Sequence, residues 1–505
     1  MKQKRDAPSP TQKPLSNSNV DRGGISTTSI ITRYRLAVAG LGALSIVFAL
    51  VFVRMSEKLQ FAMVAAVPAI LMGAYMMVSQ FAGVWAFVMV EYLRPYTFIA
   101  ALRPLRLGML TVAVTLVSWI IAQAVNREKI HWNSLCTWFL CYLLVIASSI
   151  LTAGNNFRAY HAFEGLLVTF LMFFLLLNIV KTKDQLSKII WLLLLVHVYY
   201  AIKGIFNFAL GGSGGGLVTS GAVGGSFMGD ENDFALALNA MIPFAFFMFQ
   251  NQTSKFKRLF LIGSLLVLVL GVVSSQSRGG WVGLMAVALF CFMKSKRKLM
   301  NLGIAAMLGV AVLIFAPSSY WLQVESITDT EEATANSRLN YWHAAVRMYI
   351  DYPITGVGAA NGPMKMPYYV TGFRDPATQW GRTFHGTLPL VLAESGTLGI
   401  VCYLMLYITA LRGLSGVRKR FSQDHRSDEW TYASAITGGM IGWLTSATFL
   451  SAAYYPHLWS LYAMTGVLLR IAKTTPDVAL SQSQIESESG PSMPIDDRAI
   501  KPKEG

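Results

Sequence analysis

The sequence predicts an all-α protein, a polytopic transmembrane helical bundle of about 12–14 spans with one long helical loop on its outer side. Three observations carry this. The 505 residues are 54% hydrophobic and only 13% charged, about half the charge a soluble domain uses. The apolar residues are grouped in runs such as Leu36–Val53, Leu107–Ala124 and Leu299–Ala316, each long enough to cross the hydrocarbon core as a helix. One connection between these runs, Pro317–Gly386, is roughly seventy residues long, by far the longest, and connections that long are usually functional.

Candidate spans fall near 36–53, 60–79, 82–98, 107–124, 133–151, 165–181, 187–209, 233–250, 258–274, 279–295, 299–316, 387–411, 431–452 and 457–473. The region 60–98 reads either as a hairpin of two spans or as one long tilted span. Residues 1–34 are rich in Ser, Pro, Lys and Arg and read as a disordered cytoplasmic tail, as do 474–505. Between them lie an N-terminal transmembrane region, 35–164, and a second transmembrane region, 165–473, that includes the loop 317–386.

Charge orients the bundle. The net charge of +16 is scattered in short clusters between apolar runs, which argues for topology signals and against a nucleic-acid surface. With the N-terminus inside, five clusters fall on the cytoplasmic side. They are Arg127/Lys129, Lys181/Lys183, Lys255/Lys257/Arg258, Lys294/Lys296/Arg297/Lys298 and Arg412/Arg418/Lys419/Arg420/Arg426. Arg54, Lys58, Arg94, Arg103 and Arg106 disagree, falling outside. Thr152–Glu164, the Gly-rich Gly211–Asn232, the turn Ser275–Gly280 and the long loop also lie outside. Cys136, Cys141, Cys291 and Cys402 all sit in apolar runs, so a disulfide framework is not expected. There is no HExxH, no His/Cys cluster and no phosphate loop, so neither a catalytic metal nor a nucleotide site is expected.

Within the long loop, Leu339, Trp342, Val346 and Ile350 repeat at helical spacing, Asn336-Ser337 offers a cap and Pro353 ends the pattern. Arg338 is then in the first turn, either a solvated surface arginine or a partner to an anion at the helix end. Asp351-Tyr-Pro-Ile-Thr-Gly-Val-Gly358 is a turn. His385, at the membrane–water boundary, is either an interfacial histidine without a role or a general base. Arg278, in Ser275-Gln-Ser-Arg-Gly-Gly280, is either a snorkelling arginine or a ligand contact. Glu394 lies about two turns inside its span, where a carboxylate is costly. It follows His385 by nine positions, about 180° around an ideal helix, which favours a structural role. Glu91 and Arg94 are spaced to pair with each other.

Taken in order, these landmarks resemble the O-antigen ligase and O-antigen polymerase superfamily of bacterial membrane glycosyltransferases. The resemblance covers about 165–470. It rests on the span beginning at Asp233, Ser277-Arg278-Gly279-Gly280, Ser337-Arg338 with Tyr341-Trp342, the Asp351–Gly358 turn, and His385 followed by Ala393-Glu-Ser-Gly-Thr-Leu-Gly399. The family usually has His-Asn where this chain has His385-Gly386. What the resemblance implies is glycan transfer at the periplasmic face of the bacterial inner membrane, in polysaccharide, exopolysaccharide or lipopolysaccharide assembly. The donor would be a glycan on undecaprenyl diphosphate, and the acceptor a hydroxyl on lipid A core, a glycan or a protein. His385 would be the base, Arg278 and Arg338 would hold the diphosphate, and Glu394, Arg94, Arg103 and Arg106 would support them. No cofactor is implied. Ligase and polymerase use the same donor chemistry. A transporter or lipid-linked glycan flippase is the reading from another class, disfavoured because no repeated halves with paired broken helices are visible.

Overall fold

A computed structural model describes residues 70–210, 230–295 and 333–475, with isolated positions at 298, 303, 306, 309 and 310. By packing the chain divides at residue 72 into two units, and all that follows concerns the second. Among the described residues every regular element is helical. The expected span 36–53, most of 299–316, the first half of 60–79, the glycine-rich stretch 211–229 and nearly all of both tails lie outside these residues.

The helices begin where polar residues can satisfy the free N–H groups of a first turn. Helix α1, Gln80–Leu93, starts at Ser79 and ends at Arg94. A single turn, Pro95–Phe98, and a 3-10 helix, Ala100–Leu105, lead to α2, Leu107–Asn126. Asn133 caps α3, Ser134–Thr152, and Asn155 caps α4, Asn156–Ile179. The cap at Asn155 corrects the expected outer loop Thr152–Glu164. Arg158, His161 and Glu164 ride on the first turns of α4, and the expected division at residue 165 falls inside this helix. A capping box between Thr182 and Gln185 starts α5, Lys183–Ala209, about one turn earlier than hydropathy suggested.

Helix α6, Glu231–Asn251, is capped by Asp230 and is almost wholly buried, making it the axis of the bundle. Around it stand α7, Lys255–Ser274, α8, Arg278–Lys294, and α12, Asp428–Ala447. The close approach of α12 depends on glycine. A Cβ at Gly439 would sit 2.6 Å from Ala240 O, and one at Gly442 2.8 Å from Asn239 O. Asn239 donates to Gly280 O (2.7 Å) and to Ser446 Oγ (3.0 Å), tying α6, α8 and α12 together inside the apolar core. Helix α13, Pro456–Thr474, completes the packing, with Trp459 stacked on Phe139 of α3 at 4.2 Å.

The expected loop helix is α9, Ala333–Asp351, followed by α10, Gly362–Tyr369. It departs from expectation in two ways. It is already helical at Ala333, so Asn336-Ser337 lie within it and Arg338 falls beyond its first turn. Its stripe Leu339, Val346 and Ile350 is exposed, while Tyr341, Ala344, Ala345 and Met348 are buried. Small residues let α9 lie close on α11, Thr387–Arg420. That last helix runs nine residues past its expected end at 411, with Arg418, Lys419 and Arg420 complementing the dipole of its last turn.

Seven of the described helices are long and apolar enough to cross a membrane by length and composition: α3, α4, α5, α6, α7, α11 and the helical stretch Leu102–Asn126 that contains α2. The chain is an all-α, polytopic membrane protein. One end of the bundle gathers the N-termini of α4, α6, α8, α11 and α13 with the loop 333–386. The opposite end carries basic residues, with Lys183 paired to Glu429 at 3.2 Å and Lys181 to Glu128.

Candidate active site

The loop-bearing end is organised by a break in α11. Gly396 has φ 60° and ψ −158°, a conformation open essentially to glycine. The interrupted helix leaves backbone groups unsatisfied, and the Asp351–Gly358 turn fills them. Val357 N donates to Ala393 O (2.8 Å), Thr397 N to Pro353 O (2.8 Å) and Leu398 N to Ile354 O (3.2 Å). Tyr349 and Thr397 meet through their hydroxyls at 3.0 Å. The two glycine-bearing motifs are therefore one structure.

Glu394 secures the next segment. Its side chain, 1% exposed, accepts from Ala360 N (2.9 Å), Gly362 N (3.2 Å) and Tyr454 Oη (3.0 Å). The residue is a buried clamp between the turn, α11 and the α12–α13 connection. A second lock forms where Thr387 Oγ1 donates to Leu450 O (2.6 Å) and accepts from Ala452 N (3.0 Å).

These anchors fix His385, half-buried and itself in a left-handed backbone conformation, φ 47°. Tyr341 of α9 lies against its ring at 5.8 Å, and Trp342 Nε1 donates to its carbonyl at 3.4 Å. Gly386 is needed beside this indole, since a Cβ there would come 2.8 Å from Trp342 Nε1. Trp342 thus fills the space where the family's asparagine would project. Burial lowers the His385 pKa first, the charge of Arg338 lowers it further, and Asp230 opposes them. The balance favours the neutral imidazole.

Asp230 links this group to the start of α6, where its carboxylate accepts from Asn232 N (2.9 Å) and Asp233 N (2.8 Å). Asn232 Oδ1 accepts from Ser277 Oγ (2.7 Å), and Ser277 caps α8, whose first residue is Arg278. Arg338 and Asp230 thus both act on His385 through their charges, and Arg278 opens the helix that Ser277 caps and ties to Asn232. Asp233, 5% exposed, accepts from Tyr455 Oη at 2.9 Å through one oxygen. Its other oxygen has no hydrogen-bond partner among the described residues.

Arg94, Arg103 and Arg106 stand apart from His385. They line a cavity of about 1270 Å³ bounded by α1, α2, α4 and the Tyr454–Tyr455 segment, and none of Arg278, Arg338 and His385 lines it. Arg94 lies 3.8 Å from Glu91, the spacing expected from the sequence. Arg106 bonds Glu164 at 2.7 Å, and His161 shares that carboxylate at 2.9 Å. Arg94 and Arg106 are left-handed, φ 47° and 44°. Tyr454 and Tyr455, which line the same cavity, donate to Glu394 and Asp233 respectively.

Sequence reasoning missed Asp230, Asn232, Tyr454 and Tyr455 as parts of this region, and had Trp342 as a landmark of the loop helix. One signal was present in the run Asp230-Glu-Asn-Asp233, more acidic than a helix cap needs. The two tyrosines carried none.

The fold defines a multi-pass membrane protein whose loop-bearing end is polar. Residues 263–404 match the family model described as O-antigen ligase, a segment that contains Arg278, Arg338, His385 and Glu394. Over this segment the chain is similar to the O-antigen ligase family. No curated protein matches it.

Proposed function

We propose that this protein is a glycan ligase of the bacterial inner membrane. It transfers a glycan from undecaprenyl diphosphate to an acceptor hydroxyl, on lipid A core, a glycan or a protein, at the periplasmic face. What supports this reading is that the charge of Arg338 acts on His385, favouring its neutral form, and that both lie inside the matched segment. His385 takes the acceptor hydroxyl proton as its oxygen attacks the anomeric carbon. The bond from that carbon to the diphosphate oxygen breaks, the configuration inverts, and the lipid diphosphate leaves with the electron pair. Arg338 and Arg278 hold that diphosphate, since guanidinium stays charged and binds phosphate oxygens in pairs. This assigns to protein cations the charge stabilisation a metal ion supplies elsewhere. Glu394 acts through the Ala360–Gly362 segment as a positioning residue.

The test is transfer by purified protein from a synthetic undecaprenyl-diphosphate oligosaccharide with a chelator present, comparing wild type with His385→Ala. Metal-independent, inverting transfer that is lost in the variant is expected. Full activity in His385→Ala overturns the assignment of the base. A ladder of products, rather than one chain length preserved, turns the reading to polymerase. No transfer from a verified donor to a verified acceptor panel turns it to a lipid-linked glycan transporter.

A further inference from the structure

We propose that one face of α9 is a membrane-docking surface, and that its last turns and the turn after them rest in the interfacial layer of the bilayer at the loop-bearing end. Apart from its last residue, Asp351, the exposed side chains described on α9 are Asn336, Leu339, His343, Val346 and Ile350. They recur every three or four positions, so they share one stripe. The stripe grades from polar to apolar. Asn336 and His343 interrupt its first part, whereas Val346, Ile350 and then Ile354 in the turn are 46%, 66% and 64% exposed. A single exposed aliphatic residue is ordinary, but an aligned row marks a surface that something covers.

Helix α11 shows what lies against this row. It is one of the helices long and apolar enough to cross a membrane, and its exposed Leu398, Val401, Leu404 and Ile408 form a stripe of their own, the face it turns to lipid. The two stripes meet. Leu398 N donates to Ile354 O at 3.2 Å, and Tyr349 Oη meets Thr397 Oγ1 at 3.0 Å. The last turn of α9 is therefore level with the beginning of the lipid-facing row of α11. An apolar surface that starts on a membrane span at Ile408 passes through Leu398 to Ile354, and on to Ile350 and Val346. One partner fits its whole length, lipid tails against α11 and the upper edge of the same leaflet against α9.

The charged groups nearest the apolar end of the row are held by protein. Asp351 accepts from Tyr369 Oη at 2.7 Å, and Arg347 donates to Tyr369 O at 2.7 Å and to Thr371 Oγ1 at 3.3 Å. Both charges are thus directed to the Tyr369–Thr371 segment, leaving Val346 and Ile350 to face outward. Tyr352, 40% exposed, adds beside them an apolar ring with a polar tip, the side-chain type that collects at membrane–water interfaces.

Docking has a consequence for the candidate site. The inner side of α9 carries Tyr341 against the His385 ring and Trp342 on its carbonyl, so the bilayer backs the helix that holds His385. The docking itself rests on the membrane fold alone and is independent of the transferase reading.

The experiment is fluorescence quenching on the purified full chain in phosphatidylcholine nanodiscs. Val346→Cys and Ile350→Cys are each labelled with an environment-sensitive fluorophore. Val401→Cys on α11 is the reference for lipid, and Ala377→Cys, on the exposed 3-10 helix Pro376–Gln379, the reference for water. The native cysteines are buried or half-buried, and labelling of the wild type gives the background. The quenchers are a phosphatidylcholine with a doxyl group high on its acyl chain, and iodide in the water. An interfacial helix sinks its apolar face about 5–10 Å, within reach of the doxyl group, so labels at Val346→Cys and Ile350→Cys should respond to the lipid quencher and resist iodide roughly threefold or more relative to Ala377→Cys. Adding Ile350→Asp to Val346→Cys should return iodide quenching toward the Ala377→Cys level. Iodide quenching as strong as at Ala377→Cys at both positions overturns the docking. Protection from both quenchers overturns the lipid as partner and turns the face to a second copy or another segment of the chain. If the Ile350→Asp variant does not fold, the two labelled positions decide alone.

Discussion

Glu394→Ala removes a buried acceptor and leaves its three donors in place. Gly362 N is buried, and an unsatisfied buried donor costs about 1–3 kcal/mol, while Ala360 N is part-buried beside the cavity of α1, α2 and α4 and adds less. The loss is therefore about 1–3 kcal/mol or somewhat more, before the Tyr454 hydroxyl is counted. That cost is relieved most easily by local opening of residues 353–362, because the surrounding helices keep their own packing. Hydrogen–deuterium exchange on the purified protein reads this directly. A loss near 3 kcal/mol raises exchange at Ala360 and Gly362 about a hundredfold, with α6 and α12 unaffected. Glu394→Gln should fall between, since an amide keeps one accepting oxygen and turns an NH2 toward at least one donor. Unchanged exchange at Ala360 and Gly362 in Glu394→Ala would refute the clamp. Slowed transfer with exchange unchanged would refute its role as a positioning residue.

Three other outcomes follow from the same geometry. Gly396→Ala should lose about 3 kcal/mol or more of stability, because its Cβ would lie 2.5 Å from Ile354 O. Gly416→Ala in the same helix meets nothing within 4 Å and should be neutral or gain up to about 1 kcal/mol, both read by thermal unfolding. Removing a cation raises a neighbouring histidine's pKa, so in Arg338→Gln the acid limb of the transfer rate should move to higher pH. Asp230→Asn should move it lower. The wild-type limb lies below the ordinary histidine range, since the active base is the neutral form and its folded pKa is lowered. A limb that stays fixed in both variants separates His385 from these charges. Finally, Gly386→Asn should reduce transfer roughly tenfold by displacing the Trp342 indole, and adding Trp342→Ala should recover part of the loss. That recovery, measured as a double-mutant cycle, distinguishes steric conflict from any need for the family's amide.

Several of the site's parts were readable before folding. Arg278, Arg338, His385 and Glu394 could each be picked out by a local oddity, such as a charge at the disfavoured end, a carboxylate within a span or a glycine-rich turn. Their relations could not. The Asp351–Gly358 turn and the Ala393–Gly399 stretch are some forty residues apart in sequence, and nothing local says that one supplies the hydrogen bonds the other lacks. The stripe on α9 misled for a related reason. Apolar periodicity reports that a helix has an apolar face, and in a membrane protein that face can meet lipid as stably as protein. The face with Ala344 and Ala345 packs on α11 because small side chains permit close approach.

What the sequence determined by itself is the helical class and the position of seven helices long and apolar enough to cross a membrane. Those follow from hydrocarbon length and backbone hydrogen bonding, both of which act on single segments. Only the tertiary structure decided that Gly396 breaks its helix, that Glu394 clamps backbone instead of facing His385, and that Arg94, Arg103 and Arg106 share one cavity. Those depend on contacts between residues up to about two hundred positions apart, such as Tyr455 with Asp233, and distant pairings of that kind are fixed by packing, which no local pattern records.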